Sequence, residues 1–153
     1  MPYDAEFTDD LARLLFALDA SRLPTAAVTS AITRAIVRWA HGSGWMVRTE
    51  ARVDVPGVPG GTRQLGFVDV LVSRGRGHSD VAIEIDSTDK PWSVVKLQHA
   101  AAAGMLAIWV RWGDDAWAGV YDDLDVIQLG ALRRPLPRRR SPQLEMWSTA
   151  ALR

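Results

Sequence analysis

The stretch over residues 105–112, MLAIWVRW, constrains the fold of this chain more than any other segment. It is a near-continuous apolar run of strand length, the pattern of a central strand buried on both faces. A helical segment leads directly into it. Pro91 suits the first turn of a helix, because its missing N–H would be unpaired there in any case. The helix runs on through SVVKLQHAAAAG and ends near Gly104. A helix delivering the chain into a buried strand is a crossover, and such crossovers are right-handed when the strands they join are parallel. The fold class is therefore α/β.

The preceding residues supply the other elements. Thr8 can cap a helix to about Asp19, with Leu11, Leu14, Leu15 and Leu18 on one face. After Pro24, Val28, Ile32, Ala35, Ile36 and Trp39 repeat the helical spacing, and Gly42 suits its end. From Trp45 the period becomes two. Trp45, Val47, Thr49, Ala51, Val53 and Val55 point one way, and Met46, Arg48, Glu50, Arg52 and Asp54 the other. Glu50 between Arg48 and Arg52 reads as part of a surface ion-pair ladder. PGVPGG at 56–61 is a loop, a second strand covers about 63–73, RGRGH at 74–78 is a turn, and a third strand covers about 80–86. WAGVY and LDVIQL are further short strand candidates, whereas PLPRRRSPQ reads as irregular. The whole of 1–153 forms one domain, with a core over about 25–113 and a C-terminal extension over 114–153 that carries a basic segment. The first three strands can form an antiparallel meander, and the crossover helix then leads to the buried fourth strand of a mixed sheet.

Composition narrows the chemistry. Hydrophobic residues make up 48% and charged residues 24%, which are globular values. With no cysteine there is no disulfide and no thiolate metal site. A metal would have to be held by carboxylates, imidazoles or backbone oxygens, which favours hard ions such as magnesium or manganese. No apolar run is long enough to span a bilayer, and the acidic start MPYDAEFTDD lacks a signal-peptide pattern, so a cytoplasmic location without membrane contact is expected. GxxxxGK[ST] and GxSxG are both absent, which removes support for a phosphate loop or an α/β-hydrolase.

The distinctive chemistry lies in the strands. In VAIEID, Val81, Ile83 and Ile85 face one side, while Ala82, Glu84 and Asp86 face the other. Two like charges on one face are costly to desolvate unless a cation or hydrogen-bond donors compensate them. In LGFVDVLV, Asp69 interrupts the stripe of Leu65, Phe67 and Leu71. A hairpin through 74–78 brings Asp69 toward Glu84. Carboxylates converging from adjacent strands can hold a hard divalent cation, which activates water and stabilises charge at phosphorus. A nearby lysine can add to that stabilisation. The chain's two lysines, Lys90 and Lys96, both lie just downstream. Structural alternatives stand beside this reading. Asp69 could be a buried acid bonded to backbone, Glu84 and Asp86 could line the solvent face of an edge strand, and Lys96 could face solvent.

These residues carry a resemblance. The order helix–strand–strand–strand–helix–strand, with Asp69 on the second strand and Glu84-Ile85-Asp86 on the third, resembles the PD-(D/E)XK, or restriction-endonuclease-like, superfamily. The likeness covers residues 66–113 best. It implies a metal-dependent nuclease, with DNA the favoured substrate and Mg2+ or Mn2+ the cofactor. Asp69 and Glu84 would ligate the metal, and Asp86 or the Ile85 carbonyl would complete the site. Asp86 stands where the family usually has lysine, a departure that bears on catalytic competence more than on fold. Lys96 is the candidate for a relocated lysine, with Gln98 near it on the helix. A catalytically inactive nuclease-fold module that binds nucleic acid or a protein partner is the alternative. A homodimer or a targeting protein would suit a chain with little room for a separate recognition domain.

Other residues are less specific. Arg138, Arg139 and Arg140, with Arg133 and Arg134, form either a solvated tail or a phosphate-contacting segment. His41, His78 and His99 have no metal-ligand spacing, and His99 lies one turn beyond Lys96. Trp39, Trp45 and Trp109 suit core positions. Trp92, Trp112, Trp117 and Trp147 could be partly exposed, to stack on unpaired bases or anchor an interface.

Overall fold

The computed structural model describes residues 2–20, 22–55, 64–113 and 121–130. The elements are α1 (Pro2–Phe16), α2 (Thr25–Gly42), β1 (Met46–Val55), β2 (Gln64–Ser73), β3 (Val81–Asp86), α3 (Pro91–Ala102), β4 (Leu106–Arg111) and β5 (Asp125–Gln128). The strands form one mixed sheet in the order β1-β2-β3-β4-β5. β1, β2 and β3 make an antiparallel meander. α3 then crosses to β4, which runs parallel to β3, and β5 runs parallel to β4. Among the described residues the protein is an α/β fold with a five-stranded mixed sheet flanked by three helices. The strand candidate at 117–121, the basic segment with Arg138, Arg139 and Arg140, Trp117 and Trp147 lie outside the described residues, Tyr121 apart. Among the described residues no helix is long and apolar enough to cross a membrane.

Two apolar layers follow from strand alternation. Val81, Ile83 and Ile85 of β3 meet Leu11 and Leu15 of α1 and Val28, Ile32 and Ile36 of α2 in one cluster. Ala82 joins Ala107, Trp109 and α3's Val94, Leu97 and Ala100 in the other. Gly104, at φ +85°, ends α3, and Met105 N–H returns to the Ala100 carbonyl at 3.1 Å. A left-handed glycine just past a helix is the usual way to satisfy its last carbonyls. Phe7, Trp39 and Trp45 pack with ring centroids 5.1–5.4 Å apart, tying α1 and α2 to the start of β1.

Three expectations change. Thr8 is no N-cap, because α1 begins at Pro2; its hydroxyl instead donates to Asp125 Oδ2 at 2.5 Å, joining α1 to β5. Trp112 is buried rather than partly exposed, and its indole N–H donates to Thr29 Oγ1 at 3.1 Å. The odd-numbered residues of β1 do not all face one side. Trp45 and Val47 pack on the α1–α2 cluster, whereas Ala51 and Val53 belong to the α3 cluster. The change occurs across Glu50, which has φ +49°. Asp69 lies between Val70 and Val68, the partners of Thr49 and Ala51, and marks a matching change in β2, where Val70 and Val72 join one cluster and Val68 the other. A left-handed residue redirects the chain and interrupts strict alternation. The exposed ion pair of β1 joins Arg52 to Asp54 at 3.4 Å.

Leu97 is fully buried between α3 and the sheet. Leu97→Ala is expected to lower unfolding free energy by about 2–5 kcal/mol. Urea denaturation checks this, and a loss under about 1 kcal/mol would mean that α3 does not depend on this contact.

Candidate active site

The β2–β3 ladder pairs Val72 with Val81, Leu71 with Ala82 and Val70 with Ile83. Beyond Val70 the Asp69 side chain replaces a ladder bond, and its Oδ2 accepts the Ile85 N–H at 2.7 Å. One alternative for Asp69, an acid bonded to backbone, is thus met in the structure. The same geometry aims Asp69 at the end of β3, where Glu84 and Asp86 lie.

Glu84 and Asp86 are each only 2% exposed, so the solvent-face reading is overturned. α3 lies on their face of the sheet. Glu84 Oε1 is 2.6 Å from the Lys96 ammonium, and Glu84 Oε2 accepts from Ser93 Oγ at 3.1 Å. Lys96 also donates to the Phe67 carbonyl at 2.7 Å. Lys96 therefore turns inward, because its place on α3 aligns with Ser93, Val94, Leu97 and Ala100 on the buried face. Gln98 is exposed and His99 half-buried, so neither shares the Glu84 contact. Asp86 Oδ2 accepts the Trp109 indole N–H at 3.0 Å, and its Oδ1 is 2.6 Å from Lys90.

Electrostatics unite these groups. Burial pushes the Glu84 carboxyl up to about 7; Asp69's charge adds to the rise, while Lys96 and Ser93 oppose it. Burial also raises Asp69, against the Ile85 N–H, and the charges of Asp86 and Glu50 add to the rise. Lys90 is held above its ordinary value, chiefly by its bond to Asp86, with Asp69 and Glu84 contributing. Asp69, Glu84, Asp86, Lys90 and Lys96 are thus one coupled cluster. Among the described residues, no group of three or more His, Asp or Glu side chains is arranged to hold a metal ion. Oxygen donors such as the Asp69 and Glu84 carboxylates are the ligand type that Mg2+ takes, usually one or two of them with several waters.

The residues between β3 and α3 are pinned from below by Arg111, which sequence reasoning left unassigned. It is 1% exposed, ion-pairs with Asp89 and stacks its guanidinium 4.7 Å from the Trp109 ring centroid. A charge inside MLAIWVRW was the available signal, since a buried arginine requires partners. Gly113 approaches the same loop at φ +113°, where a Cβ would stand 3.1 Å from the Ser87 carbonyl oxygen. A concavity of about 520 Å3 lies elsewhere, lined by Asp4, His78, Asp80 and Met105 among others at the opposite end of β3. It contains none of the coupled acids and lysines.

Glu84 makes stability pH-dependent. Its folded value of about 7 lies above the ordinary 4.5, so the folded state holds the proton more tightly. The associated stability is full below about pH 4.5 and is lost as pH rises through about 7. Melting temperature should therefore fall across that interval, and Glu84→Gln should flatten the fall. Equal slopes for both proteins would remove Glu84 as its source. Separately, Gly113→Ala should destabilise by about 1–3 kcal/mol in denaturant unfolding, because alanine resists that backbone conformation.

Compared with known protein families, with characterised proteins and with solved structures, the chain shows no significant match.

Proposed function

We propose that this protein is a metal-dependent nuclease of the restriction-endonuclease-like type, hydrolysing phosphodiester bonds with DNA the favoured substrate. The observation that carries the reading is the convergence of Asp69, Glu84 and Lys96 where β2 and β3 cease to pair. The meander, crossover helix and parallel β4 that surround it are in the order the resemblance implies. Asp69 and Glu84 would hold Mg2+ or Mn2+. The ion would supply a polarised water and neutralise charge on the phosphate. Lys96 compensates Glu84 within the buried layer and keeps that carboxylate aimed at the cluster. Ser93 fixes its second oxygen. Phosphodiester chemistry needs such preorganised charges more than it needs a protein nucleophile.

A second reading has its own observation. Each acid already has protein partners: Ile85 for Asp69, Lys96 and Ser93 for Glu84, Trp109 and Lys90 for Asp86. A cluster compensated in this way suits a nuclease-fold module that binds nucleic acid or a protein partner without cutting. A homodimer or a targeting protein fits either reading, as does a cytoplasmic setting.

Cleavage of labelled single- and double-stranded DNA and RNA separates them. We expect cutting with Mg2+ or Mn2+, none with chelator, and a loss of at least about 100-fold in Asp69→Ala and Glu84→Ala. Divalent ion should also raise the melting temperature of the wild type but not of Glu84→Ala. Folded wild type that binds but never cuts would favour the non-catalytic module.

A further inference from the structure

We propose that Lys90, held in place by Asp86, is the side chain through which this site takes a substrate phosphate, with Asp86 a positioning residue rather than a metal ligand. The inference rests on the nucleic-acid reading above and supplies that site with its anion contact.

The two lysines of the chain differ in what they can reach. The Lys96 side chain is 10% exposed, and its ammonium is committed to Glu84 and the Phe67 carbonyl. The Lys90 side chain is 57% exposed, and among the described residues its ion pair is with Asp86. An incoming phosphate can approach Lys90 without opening the α3–sheet layer, whereas Lys96 lies within it.

Lys90 is also unusually well placed for a surface lysine. Asp86 is buried and cannot follow a wandering ammonium, because Trp109 holds its other oxygen. On one side of Lys90, Asp89 is paired with the buried Arg111; on the other, Ser93 is bonded to Glu84. The Lys90 carbonyl accepts the Ser93 N–H at 2.9 Å, so the backbone of residue 90 is tied at both flanks, and its Nζ is held 2.6 Å from Asp86 Oδ1. Helix stability does not account for the residue. Lys90 occupies the N-cap of α3 and makes no side-chain cap bond. That position favours Ser, Thr, Asp or Asn and disfavours a cation near the positive helix end. A cation kept there adds to the helix end in attracting an anion. Asp86, with both oxygens engaged by Trp109 and Lys90, orients that cation.

The test is anisotropy of a fluorescein-labelled DNA duplex in chelator, where nothing is cut, titrated at several salt concentrations. Lys90→Ala should bind several-fold more weakly, with a salt slope shallower by about 0.9, one phosphate contact. Lys90→Arg should keep the wild-type slope. Asp86→Asn should bind the duplex more tightly, because a carboxylate beside the phosphate is gone. In Mg2+ the same variant should turn over more slowly, so KM and kcat fall together. A merely structural Asp86 would weaken binding as well. Melting of each variant controls for folding. Wild-type binding with an unchanged slope in Lys90→Ala overturns the Lys90 assignment alone. No binding by folded wild type overturns the nucleic-acid reading and this inference with it.

Discussion

The ion pair between Glu84 on β3 and Lys96 on α3, 2.6 Å long and almost fully buried, ties the candidate site to the fold. Neither charge could be left alone there. A buried carboxylate without a partner would be protonated or would disrupt the layer, and a buried ammonium would fare no better. Lys96 extends the link to β2 through the Phe67 carbonyl. One side chain thus joins the crossover helix to two strands just where those strands stop pairing. The Glu84 carboxyl still rises to about 7, since burial outweighs the help from Lys96 and Ser93. The cluster is held together under electrostatic tension, and such tension is typical of functional sites though not unique to them.

A second constraint shapes the mouth of the site. Asp86 is held by Trp109, Trp109 underlies Arg111, and Arg111 holds Asp89. These contacts connect the ends of the parallel strands β3 and β4 to the loop that starts α3. Ligands in open α/β sheets generally meet the protein at the carboxyl ends of parallel strands. The chain places buried polar groups at this end of β3 and a concavity without any of the clustered acids and lysines at the other, which makes the carboxyl end the better-prepared surface.

Much of the fold was legible because its signals are local. Helical spacing from Val28 to Trp39, the alternation in VAIEID, the apolar run before Gly113 and the glycine after α3 each depend on a few neighbouring residues. Asp69 could be singled out because an acid interrupted an apolar stripe. Thr8 misled because a capping residue and a mid-helix threonine look alike when the preceding turn carries proline and acids. The change of face at Glu50 left no local trace, since nothing in RTEAR marks a left-handed residue. Glu50 lies opposite Asp69, and like charges there oppose regular pairing.

The sequence by itself determined the α/β class and the face shared by Glu84 and Asp86, because backbone periodicity specifies them, while it only allowed the antiparallel meander and the crossover that the packed sheet adopts. It also confined any metal to oxygen or nitrogen ligands, since no thiol is present. Only the tertiary structure decided that Lys96 turns inward while Lys90 stays at the surface, and that Arg111 reaches Asp89 across 22 positions. It likewise decided that Asp69 bonds to Ile85 rather than standing free. These outcomes depend on how α3 is docked and rotated against the sheet. That docking is a property of the packed core, where side chains distant in the chain must fill one space, and no local window of sequence contains it.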